Sequence, residues 1–228
     1  MPAGAADNMA LDERIFNRYI EDGIPVLRLY GWQNPSITYG ISQRPQGQVD
    51  LEKCKREGIQ IAQRITGGGL LFHNHEITYS LACSKEDIGE EREVFVSYRR
   101  ICAFLIHFYK SLGLKAYFAL EADDFSNKSL PHQLCSASHE KYDIVIGKRK
   151  IGGNAQKRRR SAIFQHGSIP LSIDWPFLRR YLCGLPDNIS SSATALSEEL
   201  AVLPQKQVLE QKLIDAFADV YGVSFEEK

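Results

Sequence analysis

Hydrophobic positions in "NMALDERIFNRYIEDG" fall at Met9, Leu11, Ile15, Phe16, Tyr19 and Ile20. Steps of three and four mark one face of a helix, and Gly23 supplies its stop. "PVLRLYGW" and "SITYGISQ" then read as strands separated by the turn Asn34-Pro35, and "DLEKCKREG" reads as a short helix closing at Gly58. "IQIAQRI" is a strand that runs into three glycines, followed by strands at "LLFH" and "EITYSLAC" around a turn at 73–76. The pattern returns to a helical period over 93–112, with Phe95, Tyr98, Ile101, Cys102, Leu105 and Phe108 on one side. "LKAYFAL" is a strand. The polar stretch 121–141 has little period and reads as a long loop, a place where function often sits. "YDIVIGKRKIGGNAQKR" reads as a hairpin, with a strand over 142–146, a turn at Gly147-Lys148 and a return strand from Arg149. "AIFQHGSIPLSI" is one long strand or a pair. From Trp175 onward the expectation is mostly helix, ending in "KQVLEQKLIDAFADVYG". Strands come in runs, without βαβα alternation. The fold class is therefore α+β, with mixed, largely antiparallel sheets and flanking helices in a single domain over 1–228.

Composition narrows the function classes. The 28 Lys and Arg balance 28 Asp and Glu, so no global field draws the chain to nucleic acid or an anionic membrane. The short basic run "KRRR" at 157–160 lacks interleaved aromatics and is a weak nucleic-acid signal. No apolar run approaches the roughly 20 residues that span a bilayer, and the first residues do not form a signal peptide. Cys54, Cys83, Cys102, Cys135 and Cys183 are odd in number and widely spaced, which opposes a disulfide framework or a zinc site and fits a reducing cytoplasm. No metal site is assigned.

Three features carry candidate chemistry. Gly67, Gly68 and Gly69 follow Arg64 and lead into a strand. Such a loop is either a flexible turn or a cradle of bare N–H groups for an anion, and it lacks the G-K-[ST] ending of a P-loop. Lys150 precedes Gly152-Gly153, with Asn154 and His166 beyond. This is either a solvated basic hairpin or a lysine poised to hold a carboxylate or polarised carbonyl near backbone donors. Cys135 stands in the polar loop between His132 and His139, either of which lowers a thiol's pKa when close. The other four cysteines read as core.

The ordered motifs "NMALDE", "LRLYGWQNPSITYGISQ", "RITGGGLLFHNHEITYS", "YDIVIGKRKIGGNAQ" and "QHGSI" resemble the lipoate–protein ligase and octanoyltransferase family, which shares the biotin/lipoate protein ligase catalytic-domain fold. The resemblance covers about Asn8 to Ile173. It implies an enzyme that attaches an octanoyl or lipoyl group to one lysine of a lipoyl carrier domain, of the glycine-cleavage H protein or 2-oxoacid dehydrogenase E2 type. It implies that Gly67, Gly68 and Gly69 lie over the acyl chain, that Lys150 is the family's catalytic lysine, and that Gly152, Asn154 and His73 match its motif positions, while Gly153 stands where the family usually has Ser and is kept in the substrate-binding set. Arg64 and His166 join the substrate-binding set. No accessory C-terminal domain is expected.

Two mechanisms stay open. In the first, Cys135 accepts the acyl group from a thioester, for which an acyl carrier protein is a candidate donor. The cysteine stands seven residues before Tyr142, the spacing of the cysteine-dependent octanoyltransferases. In the second, ATP with Mg²⁺ activates free lipoate as the adenylate. Gly69, where cysteine-type enzymes usually carry arginine, points to the second; Cys135 and the missing accessory domain point to the first, which is preferred. No cofactor is bound permanently in either. A non-catalytic relative that binds lipoyl domains is the third reading; the presence of Lys150 and the glycines opposes it.

Overall fold

The computed structural model describes residues 2–89, 94–121 and 142–226, without the side chains of 94–97. Cys135, His132 and His139 lie outside the described residues, and so does the side chain of Phe95. In chain order the elements are α1 (Ala5–Asp22), β1 (Val26–Tyr30), β2 (Ser36–Tyr39), α2 (Leu51–Glu57), β3 (Gln60–Gln63), β4 (Leu71–His73), β5 (Glu76–Ser84), α3 (Val94–Ser111) and β6 (Ala116–Phe118). They continue with β7 (Ile144–Ile146), β8 (Arg149–Lys150), β9 (Gly153–Arg159), β10 (Ala162–Pro170), α4 (Trp175–Arg179), α5 (Leu196–Glu199) and α6 (Lys206–Tyr221).

Three sheets form: an antiparallel sheet in the order β1-β5-β10-β9, a mixed sheet β3-β2-β4, and an antiparallel sheet β6-β7-β8. The expected class is thus met. β5 and β10 are the buried centre of the first sheet and are covered on both faces, so all but the last residue of each is buried, polar Thr78, Ser80, Gln165 and His166 included. One face packs on α3 and α6 through Tyr79, Phe104, Phe108 and Phe217. The other meets α1 through Phe16, Tyr19, Ala82 and Phe164. A second core under the mixed sheet joins Ile37, Leu70, Leu178 and Tyr181. Among the described residues no helix is long and apolar enough to cross a membrane.

Four expectations need correction. The buried face of α1 carries Asn8, Met9, Asp12, Phe16 and Tyr19, while Ile20 is exposed; the helix is rotated because Arg28 gives Asn8 and Asp12 buried partners. The chain after Trp175 is mostly turns around two very short helices, and only α6 is long; Gly184, Pro186 and the serines at 190–192 interrupt it. Cys183 is exposed rather than core, unlike Cys54, Cys83 and Cys102. The return strand from Arg149 is two strands in different sheets, broken at Gly152.

That break positions the site. Gly152 has φ 87°, and a Cβ there would run into the Ser168 carbonyl oxygen on β10. Only glycine lets the chain leave β8 and enter β9 at this closeness. Gly152→Ala should lower the unfolding free energy by about 1–3 kcal/mol, measured as a shift of the urea midpoint at unchanged slope.

Candidate functional site

The mixed sheet faces the edge of the four-stranded sheet, and two adjoining cavities open between them. The inner one, about 340 Å³, is lined by Met9, Tyr30, Trp32, Arg64, His73, Asn154 and His166, among others. The outer, about 630 Å³ and, like the inner, partly open to solvent, is bordered by Lys150, Gly152, Glu76, Trp175 and Thr194. Leu71, Gly153 and Ser168 line both. Arg64, His73, Gly152, Gly153, Asn154, His166 and Lys150 are therefore gathered from four separate stretches of chain. Gly67, Gly68 and Gly69 line neither cavity.

The glycine loop instead is held from beneath. Arg64, buried at the end of β3, donates to the carbonyls of Gly67 at 3.1 Å and Gly69 at 2.8 Å. Gly68 takes φ 91°, and the Gly40 backbone comes so close that a Cβ there would strike the Gly68 carbonyl. This is also why β2 ends at Tyr39. A Cβ on Gly67 would meet nothing within 4 Å, so the bare backbone at that position is not demanded by packing. Gly68→Val, strained at this φ, should disturb the loop and weaken binding of an octanoyl ligand. Calorimetry showing wild-type affinity would make the loop purely structural.

Two buried histidine relays run under the inner cavity. In the first, Arg64 donates to Thr38 Oγ1 at 2.9 Å, Thr38 Oγ1 meets His73 Nε2 at 2.6 Å, and His73 Nδ1 meets Glu76 Oε1 at 2.8 Å. With Arg64 donating to it, the Thr38 hydroxyl is placed to donate to Nε2. The network thus assigns the proton to Nδ1, facing the carboxylate. Trp32 stacks on the His73 ring at 3.9 Å and donates to Thr78 and Glu76. Ser168 donates to the other Glu76 oxygen at 2.8 Å. Burial raises the Glu76 carboxyl, but His73, Thr78 and Ser168 outweigh it and hold the group below its usual range.

The second relay joins Thr66, His166 and Asp12. Thr66 Oγ1 lies 2.7 Å from His166 Nε2, and His166 Nδ1 lies 3.5 Å from Asp12. Arg28, Tyr30 and Ser80 complete the Asp12 shell. Burial opposes ionisation of Asp12, yet the contacts with His166, Arg28 and Tyr30 prevail and its pKa is lowered. Burial also pushes His166 down, more than Asp12 pulls it up, so the imidazole is neutral at pH 7. An unfolded chain binds more protons at His166 than the native one below about pH 6.5. Stability should be full above that value and fall as pH drops below it. A second loss should follow below the ordinary carboxylate range as Asp12 and Glu76 take up protons. Urea midpoints against pH test this, and His166→Gln should flatten the first step.

Asn154 and Lys150 present the polar groups. Gln165 donates to the Tyr79 hydroxyl, which donates to Asn154 Oδ1 at 2.7 Å. That order assigns the Asn154 oxygen to Tyr79 and leaves its amide N–H donors for the cavity it lines. Lys150 is buried, with Nζ 2.8 Å from Asp143 Oδ2. Its backbone is clamped on both sides, by Ser192 O and Thr194 N, and Arg149 ties that segment to Glu198 and Glu199. The basic, solvated hairpin is therefore not what forms at Lys150: the ammonium sits on a fixed stem beside a cavity that mixes apolar and polar walls. Such a group stabilises negative charge on an acyl oxygen. Burial pushes the Cys54 thiol up to about 11 and those of Cys83 and Cys102 up to about 12, so none of the three is a nucleophile.

Sequence reasoning missed Asp12, Thr38, Thr66, Glu76, Asp143, Ser168 and Gly40. Glu76 had a local signal, three residues after His73. The others had none, since each meets its partner only through the fold and not through a short spacing pattern.

A family model described as the lipoyl protein ligase A/B catalytic domain matches residues 4–218, and the chain belongs to that family. It is 37% identical over 173 residues to a Geobacillus kaustophilus protein named octanoyltransferase LipM, a match covering 74% of this chain and 62% of that one. With the Bacillus cereus protein of the same name it is 34% identical over 224 residues, covering 93% and 79%. Among solved structures, a lipoate-protein ligase A bound with ATP superposes with a TM-score of 0.80 at 25% identity, covering 100% of this chain and 86% of that one.

Proposed function

We propose that this protein moves an octanoyl group from a thioester donor to one lysine of a lipoyl carrier domain, with Cys135 as the intermediate acceptor. The observation that carries this reading is the likeness to octanoyltransferases over most of the chain, joined to a buried, clamped Lys150 beside the cavity.

The chemistry has two acyl transfers. The Cys135 thiolate attacks the donor carbonyl, forming a new S–C bond, and the donor thiolate leaves and takes up a proton. The neutral amine of the carrier lysine then attacks the acyl-cysteine, an amide forms, the Cys135 thiolate leaves, and the amine's extra proton passes to solvent or to that thiolate. Each addition places negative charge on the carbonyl oxygen. Lys150 Nζ and the Asn154 amide are the donors available to it, and removal of one such donor costs on the order of 10²–10³-fold. Arg64, His73, Gly152, Gly153 and His166 shape the binding site, and Arg64 also holds the Gly67, Gly68 and Gly69 loop, which lines neither cavity, by its carbonyls.

The ATP-dependent reading draws on the ATP-bound ligase neighbour. There Lys150 would meet the carboxylate and phosphate of an acyl-adenylate, and ATP with Mg²⁺ would supply activation. The experiment that separates the two is a mass measurement on a lipoyl domain incubated with the protein. Octanoyl thioester without ATP should give the octanoyl gain. A gain only with free acid, ATP and Mg²⁺ would establish ligation instead, and none under either condition would leave the non-catalytic binder.

A further inference from the structure

The run Lys157, Arg158, Arg159, Arg160 is not used by the site, and the fold gives it a defined place. It ends β9 and turns into β10, in a stretch from 144 to 173 that holds seven Lys and Arg and no Asp or Glu. In a chain of zero net charge this is a local concentration of one sign. β9 is the terminal strand of its sheet among the described residues. Side chains two apart share a face of a strand, so Lys157 and Arg159 lie on the face of Ala155, which lines the inner cavity. A basic row thus leads from the cavity to the hairpin tip. Arg158, on the opposite face, is bound to Gln156. Among the described residues Lys157, Arg159 and Arg160 make no ion pair.

The tip adds an independent observation. Arg159 and Ala162 face each other, so Arg160-Ser161 is a two-residue loop. Arg160 has φ 56°, and among the described residues it is the one non-glycine with positive φ. Gly, Asn or Asp is favoured at such a turn, and a left-handed arginine is disfavoured by its Cβ. A cation is kept where the backbone resists it, and a strained residue of this kind points to a use.

We propose that this hairpin docks an acidic protein that carries the acyl group as a thioester on a long flexible arm. The inference rests on the thioester reading above. Gly153 to Arg159 spans about 20 Å at the rise of a strand. That is far beyond the reach of an acceptor lysine side chain from a domain seated at the tip, but within that of an extended pantetheine arm. The donor, not the acceptor, is therefore the occupant.

The test is the combined variant Lys157→Gln, Arg159→Gln, Arg160→Gly, compared with the wild type on octanoyl-acyl carrier protein and on free octanoyl-pantetheine. With the protein donor, kcat/KM should fall about tenfold or more and lose most of its salt dependence. With octanoyl-pantetheine it should be unchanged, as should the KM for the lipoyl domain. Arg160→Gly alone should melt no lower than the wild type, which separates docking from folding. An equal fall with both donors, a change confined to the lipoyl domain, or no change would overturn the proposal. Fluorescence anisotropy of labelled acyl carrier protein gives a reading that needs no turnover. Unweakened binding by the variant, or salt-sensitive binding of an oligonucleotide in preference to the carrier, would overturn it too. If the wild type accepts no thioester at all, the thioester reading fails separately, while anisotropy still decides the docking.

Discussion

Cys135→Ser should reduce octanoyl transfer from a thioester by on the order of 10³-fold or more, as loss of a nucleophile does in other covalent enzymes. A hydroxyl is far less readily ionised than a thiol, so the first acyl transfer stalls. The wild type incubated with an octanoyl thioester, without ATP or carrier, should gain one octanoyl group at Cys135, located by peptide mass spectrometry. Reactivity should follow the thiolate, with an apparent pKa below the free-thiol value of roughly 8.5. Burial makes Cys54, Cys83 and Cys102 poor competitors, and exposed Cys183 is controlled by Cys183→Ser. Full carrier modification by the Cys135→Ser protein with free acid and ATP would end the relay and favour adenylation.

Lys150→Ala should remove transfer by about 10²–10³-fold, the size expected when a preorganised donor to a developing oxyanion is lost. It should also destabilise the protein, because Asp143 would remain buried without its ammonium partner 2.8 Å away; breaking such a pair typically costs about 3–5 kcal/mol. The two effects can be separated. Lys150→Met combined with Asp143→Asn removes both charges and keeps the volume, so it should fold well and still be inactive. Asp143→Asn alone keeps the ammonium and should retain far more activity than either lysine variant. A folded double variant that turns over normally would remove Lys150 from the chemistry.

Much of the secondary structure was legible because its signals are local. Leu105 and Phe108 recur on one helix face, Gly23 and Gly58 stop their helices in left-handed caps, and the strand-like stretches at 76–83 and 162–170 are the two central strands. The reading failed where a tertiary contact overrides the local pattern. Ile20 looked like core on helical period, yet Asn8 and Asp12 take the buried face because Arg28 reaches them from β1. The strand from Arg149 looked continuous, yet Gly152 breaks it against Ser168.

The same division runs through the site. By itself the sequence determined which residue types were in play: a basic residue before three glycines, a lysine before two more, a cysteine among histidines, and a motif order that marked the family. It also assigned the mixed α+β class, since runs of strands without regular helical crossovers leave few alternatives. Only the tertiary structure decided that Arg64 grips the glycine loop by its carbonyls, that His73 and His166 are each wired to a buried carboxylate, and that Lys150 is paired with Asp143 while Asn154, four residues on, belongs to another sheet. The reason is physical. Caps, turns and periodicity are settled by neighbours a few residues apart, whereas a buried charge is tolerated only beside partners that the fold brings from elsewhere in the chain.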